Sequence, residues 1–97
     1  MAKYLLLWEL DRTRTPEDPE TRKSQWRSLQ DMIVKQLEDG YLKDWGLFLG
    51  EMKGYCIVEG TDADVSQFTI GYSPYVIFEV KQVQSIQQAI DNLVKNA

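Results

Sequence analysis

The sequence predicts an α+β fold in the order β-α-β-β-α-β, with one further helix at the C-terminal end. Three observations carry that expectation. Four short runs, Tyr4–Leu10, Leu47–Leu49, Tyr55–Glu59 and Tyr75–Lys81, are apolar in the alternating or saturated manner of strands. The stretches between the first and second and between the third and fourth place apolar residues at helical spacing behind capping residues. At 97 residues, with 43% hydrophobic and 11% aromatic content, the chain reads as one globular domain, 1–97, rather than a disordered tract.

The first strand has Tyr4, Leu6, Trp8 and Leu10 on one side and Leu5, Leu7 and Glu9 on the other. Both sides are largely apolar, which marks a central strand covered on two faces. A polar connection rich in Arg, Thr and Pro follows, from Asp11 to Asp18. Thr15 and Asp18 each precede a Pro suited to the first helical position, and Asp18 is the better cap because a start at Thr15 would place Pro19 inside the helix. The helix runs to Glu38 or Asp39, with Trp26, Leu29, Ile33 and Leu37 as its apolar stripe and Gly40 as a left-handed cap.

Tyr41–Gly46 reads as a connector, Leu47-Phe48-Leu49 as the second strand, and Met52-Lys53-Gly54 as a hairpin turn. Tyr55–Glu59 returns as a third strand, apolar on both faces. Thr61 or Asp62 caps a shorter helix whose stripe is Val65, Phe68, Thr69 and Tyr72, stopped by Gly71. In the fourth strand Val76, Phe78 and Val80 oppose Ile77, Glu79 and Lys81, as expected of a half-exposed strand. Ser85 and Gln88 form a capping box for a last helix with the stripe Ile86, Ala89, Ile90 and Leu93.

That order is the split βαβ, or ferredoxin-like, arrangement: an antiparallel four-stranded sheet with both crossover helices on one face and, here, an appended C-terminal helix. Strands one and three are then central, in agreement with their two apolar faces. The stretch Gly54-Tyr55-Cys56-Ile57-Val58-Glu59-Gly60, then Thr61-Asp62, the short helix and Tyr75-Val76-Ile77-Phe78-Glu79-Val80 resembles the second half of an uncharacterised bacterial and archaeal family within the dimeric α/β-barrel superfamily. The resemblance implies subunits that pair sheet to sheet. No active-site motif of the superfamily lines up with this chain, and the His that several of its enzymes use has no counterpart here.

Composition excludes several chemistries. There is no His and only one Cys, so Ser-His-Asp and Cys-His catalysis and zinc sites of His and Cys are ruled out. Cys56 alone forms no intrachain disulfide, and its apolar strand makes it an inert buried thiol. The net charge of −4 and the dilution of Arg12, Arg14, Arg22, Lys23 and Arg27 by neighbouring carboxylates argue against nucleic-acid binding. The apolar run before Glu9 is too short for a signal-peptide core or for the ~20 residues that cross a bilayer, so a cytoplasmic domain with no membrane partner is expected. Glu51, Glu59, Asp62 and Asp64 match no metal loop and read as caps and solvated carboxylates; neither metal nor cofactor is expected. No phosphate-binding glycine motif occurs.

Two sets of residues remain as functional candidates. Glu9 and Glu79 lie on strands adjacent in a ferredoxin-like sheet, and a closed cavity would raise either pKa and suit it to act as general acid or base. Tyr4, Trp8, Trp45, Tyr72 and Tyr75 are candidates to line a pocket for a flat apolar ligand. The expected function is therefore a homodimer that holds a small apolar or aromatic molecule; a cofactor-free isomerase or monooxygenase-like enzyme and a regulatory ligand-binding module are the alternatives. The homodimer is expected across the sheet face that the two crossover helices leave open, with a charge at Leu6 as its probe.

Overall fold

The computed structural model describes residues 2–96, and its element order is β1 (Ala2–Leu10), a 3-10 turn (Arg12–Arg14), α1 (Pro19–Glu38), β2 (Leu42–Leu47), β3 (Lys53–Gly60), α2 (Asp62–Gly71), β4 (Val76–Val83) and α3 (Ile86–Asn96). The four strands form one sheet in the order β2-β3-β1-β4, with every neighbouring pair antiparallel. This is the ferredoxin-like α+β fold that the sequence predicts.

The caps explain where the helices begin. Asp18 accepts hydrogen bonds from the Thr21 backbone N–H at 2.9 Å and its hydroxyl at 2.7 Å. Those two bonds hold the Asp18 carboxyl below the ordinary carboxylate range, because they favour its charged form. Gly40, at φ +77°, follows the last turn of α1 in the left-handed conformation. At α2, Thr61 and Asp64 satisfy each other's backbone N–H groups at 3.2 and 2.8 Å. Ser85 and Gln88 do the same for α3, at 2.9 and 3.1 Å.

The second strand lies earlier than Leu47–Leu49. β2 occupies Leu42–Leu47, so Leu42–Gly46, read as connector, is strand, Leu47 is its last residue, and Phe48 and Leu49 belong to the hairpin loop. The cause is a bulge. Leu42 pairs with Val58 and Asp44 with Ile57, so one extra residue enters between them. Leu42 and Trp45, an odd number of residues apart, therefore both face the core, and the period-2 signal is erased. Lys53 and Gly54 are strand, not turn; the loop closes where Phe48 N–H donates to Lys53 O at 2.9 Å, with Gly50 at φ +79°. β4 starts at Val76 rather than Tyr75 and runs two residues past Lys81.

The core fills one side of the sheet. Tyr4, Leu6 and Trp8 of β1, Cys56 and Val58 of β3 and Leu42 of β2 meet Val65, Phe68 and Tyr72 of α2, with Leu29 and Ile33 of α1 packed against them. Leu6 is fully buried here, beneath the helices. A charge at Leu6 would thus break the core instead of probing an interface; the open face carries Leu5 and Leu7. Leu6→Ala is expected to destabilise the fold by about 3 kcal/mol. Leu49→Ala, at a position 101% exposed on the hairpin tip, is expected to leave the midpoint unchanged. Chemical denaturation of both variants checks the pair.

Candidate functional site

The most apolar concavity lies on the helix-covered side, at the end of the sheet nearest the hairpin. Five elements build it. Trp8 and Leu10 of β1, Trp45 and Leu47 of β2 and Val76 and Phe78 of β4 make the floor; Trp26, Leu29 and Ile33 of α1 make one wall, and Phe68 and Tyr72 of α2 the other. Met52 and Gln30 complete a cavity of about 280 Å³. That volume is near the lower end of small-molecule sites, whose walls are likewise mostly apolar with few polar groups.

The aromatic rings hold one another in place. Trp8 and Trp45 stack with centroids 5.3 Å apart and planes 13° from parallel. Phe68 contacts Tyr72 at 5.1 Å and Phe78 at 5.6 Å, and Tyr72 meets Phe78 edge-on at 6.1 Å. The polar ends of these rings are engaged elsewhere. Trp8 Nε1 donates to the Tyr55 carbonyl at 3.2 Å, and the Tyr72 hydroxyl donates to Gln36 Oε1 at 2.6 Å. Burial, reinforced by Cys56, pushes the Tyr72 hydroxyl up to about 12, so it remains a neutral donor. Burial alone pushes the Cys56 thiol up to about 12, which removes the thiolate that redox or nucleophilic chemistry requires.

Position 54 makes this arrangement possible. Gly54 pairs with Trp8 across the β1–β3 ladder. A Cβ there would meet Gly46 O at 1.9 Å and Trp8 Cζ2 at 2.8 Å. Without a side chain at 54, the Trp8 indole lies across β3 and reaches Trp45 on β2.

Of the five aromatic candidates, the structure brings together Trp8, Trp45 and Tyr72. Tyr4 belongs to the opposite end of the sheet, where its hydroxyl donates to Asp62 Oδ1; that bond, with burial and the Asp62 charge, raises the Tyr4 pKa. Tyr75 is exposed, in an open groove on the far flank of α1 with Arg14, Pro16 and Met32. Trp26, Phe68 and Phe78 complete the pocket and were not among the sequence-based candidates. Their signal was present: Trp26 shares the α1 stripe with Leu29 and Ile33, Phe68 the α2 stripe with Tyr72, and Phe78 alternates with Val76.

Glu9 and Glu79 are elsewhere. Both are exposed on the open face of the sheet, beside a shallow depression that also includes Leu7, Phe48, Lys53 and Ile77. Glu79 pairs with Lys81 at 3.2 Å. Neither carboxylate is enclosed in the single chain, so the closed cavity that an acid–base role was expected to need is not formed. Asp62 and Asp64 are engaged by Tyr4 and the α2 capping box, while Glu51 lies in the distant hairpin loop. Among the described residues, no group of three or more His, Cys, Asp or Glu is placed to hold a metal ion. No helix among them is long and apolar enough to cross a membrane.

No protein-family model matches the chain, and no curated protein is found to be similar to it.

Trp26 has one unusual atom. Its Nε1 is sealed from solvent and finds no hydrogen-bond partner among the described residues, while Arg22 lies 5.8 Å from the ring centroid. An unsatisfied buried donor costs about 1–3 kcal/mol. Trp26→Phe removes that donor and is expected to leave the melting midpoint unchanged or raised. Gly54→Ala is expected to lower it by roughly 10 °C or more, since backbone atoms of β2 must move. Calorimetry on the two variants tests this contrast.

Proposed function

We propose that the protein is a homodimeric member of the dimeric α/β-barrel superfamily that holds a small, flat, apolar or aromatic molecule in the pocket floored by Trp8 and Trp45. The observation that carries the reading is the pocket's composition: six aromatic rings and a ring of aliphatic groups surround open space, with Gln30 the only residue there whose side chain is an amide or carries charge. Open to solvent, such a pocket leaves its lining without the apolar contacts of a packed core. A planar ligand of one or two fused rings restores those contacts by stacking on Trp8 and sliding beneath Leu29 and Ile33. Its affinity comes from apolar burial, at about 25 cal/mol per Å². The ferredoxin-like topology supports the superfamily assignment, since its members have this strand order.

Pairing of two copies is supported by the other side of the sheet. Leu5, Leu7, Tyr55 and Ile57 form an apolar centre there, and both crossover helices pack on the opposite side. On β4 the same face carries Ile77 and Val83, 54% and 37% exposed, at its two ends, with the Glu79–Lys81 ion pair between them opposite Leu7 and Leu5. Apolar patches rimmed by polar groups mark interfaces on soluble proteins, and a two-fold axis lets each copy cover the other's patch.

Two measurements test the reading separately. A panel of naphthalene-, indole- and quinone-type compounds is expected to contain one that quenches Trp fluorescence and raises the midpoint; at 100 times its Kd it stabilises the fold by about 2.7 kcal/mol. Leu29→Trp, which fills the cavity with a ring, is expected to abolish both effects, and quenching that survives it would place the ligand elsewhere. For the dimer, sedimentation at low micromolar concentration is expected to give twice the chain mass for the wild type and the monomer mass for Leu5→Asp. A monomeric wild type refutes the pairing and leaves the pocket standing.

A further inference from the structure

A second unpartnered apolar surface lies on α3. Ile86, Ile90, Leu93 and Val94 fall on one side of this 11-residue helix and are 77, 45, 72 and 73% exposed. Buried in a core, such a stripe would be an ordinary amphipathic helix; here it faces solvent. The helix leaves the sheet after Val83, at the end of β1 where Lys3 pairs with Val83, and only Gln84 and Ser85 connect it. The chain consequently measures 56 × 26 × 22 Å, with a radius of gyration of 15.9 Å. A compact chain of this length has a radius of about 12.5 Å. The arm, not the body, accounts for the excess.

We infer that α3 is an exchanged arm: in the dimer, each copy lays the Ile86-Ile90-Leu93-Val94 stripe of α3 on the partner's open sheet face, over Leu5, Leu7 and Ile57. This rests on the pairing proposed above and names the element that makes it. One chain carries both an uncovered apolar sheet face and an uncovered apolar helix, and exchange across a two-fold axis covers all four surfaces of two chains without leaving a fifth. The size is adequate. Four large aliphatic side chains at these exposures offer on the order of 400 Å² per helix, so two seated arms with their receiving surfaces bury about 1,600 Å², the standard size of a stable interface. A membrane surface is the weaker occupant. Helices that lie on bilayers carry Lys and Arg on their polar side, whereas α3 has only Lys95, balanced by Asp91.

Three comparisons on the full-length protein test the arm. First, the double variant Ile90→Asp/Leu93→Asp is expected to raise the dimer Kd at least about 100-fold, equivalent to the loss of two well-buried aliphatic contacts. The midpoint of the monomer should be unchanged, because these side chains contribute nothing to the core of one chain. Truncation after Gln84 is expected to behave in the same way. Second, Leu93→Cys and Leu5→Cys are made in separate chains, mixed and oxidised; the native Cys56 is buried and stays silent. A disulfide between the two variants is expected. Third, the wild type is expected to stay in the supernatant with phosphatidylcholine vesicles.

A wild type that dimerises while the Asp double variant dimerises equally well, with no mixed disulfide, overturns the arm and leaves the sheet-to-sheet dimer intact. A disulfide formed only within one chain carrying both Leu5→Cys and Leu93→Cys assigns α3 to its own sheet and also overturns exchange. Vesicle binding that the Asp variant loses makes a lipid surface the occupant. A monomeric wild type removes the pairing and the arm together.

Discussion

The absence of a side chain at position 54 is the constraint on which the structure depends. Trp8 is the largest residue of the central strand, and it needs room across the sheet rather than above it. Gly54, its partner on β3, supplies that room, and the carbonyl of Gly46 on β2 closes to within 1.9 Å of where a Cβ would stand. The indole can therefore span β3, donate to the Tyr55 carbonyl and stack on Trp45. One glycine in this way couples three strands through a single ring. The edge strand β2 is short and bulged, paired on one side only, with β3, and this stack adds a side-chain tie from it to the central strand β1.

The same ring system explains the void above it. Stacked indoles and a cluster of Phe68, Tyr72 and Phe78 present broad, stiff surfaces, and α1 meets them with only Trp26, Leu29, Gln30 and Ile33. α1 has twenty residues, yet none is fully buried. Leu29 and Ile33 are only half-buried although they face the core, because the helix bridges over the aromatic floor without interlocking with it. Well-packed interiors interdigitate to crystal-like density, and a wall of flat rings against a sparse helical stripe does not. The cavity and the shallow seating of α1 are one fact seen from two sides.

Much of this was legible in the chain. The caps Asp18, Thr61 and Ser85 are local chemistry: each needs only a side-chain oxygen and a backbone N–H three residues on, so spacing reveals them. β1 and β3 show two apolar faces because both faces of a central strand meet side chains. β2 was not legible, since its bulge between Leu42 and Asp44 turns an odd spacing into a shared face, and period-2 reading then favours the apolar triplet of the loop. The pocket was half legible. Trp8, Trp45 and Tyr72 stood out as aromatics on known elements. Tyr4 stood out equally, but its place at the other end of β1 is settled by Asp62, fifty-eight residues away, and no local signal carries that. Trp26 and Phe68 read as ordinary core stripes because a pocket wall and a core have the same sequence pattern. Which side of β1 the helices cover was also not legible: both sets, Tyr4-Leu6-Trp8 and Leu5-Leu7, are apolar, and only packing decides between them.

That ambiguity has a physical meaning of its own. A strand with one covered face in an isolated subunit needs only one apolar set, and the other should be polar, as on most antiparallel sheets that border water. β1 keeps Leu5 and Leu7, and β3 keeps Tyr55 and Ile57, on the side without helices. Their neighbours Lys3, Glu9, Glu59 and Glu79 ring this centre with charge of both signs, the pattern of an apolar patch with a polar rim. A chain of 97 residues buries only about two thirds of its unfolded surface when it folds alone. It has little surplus stability with which to keep such a patch in water. The two apolar sets of β1 thus differ in what the chain itself does with them: it closes one interior with α1 and α2, and the other set is the ground for the pairing proposed above.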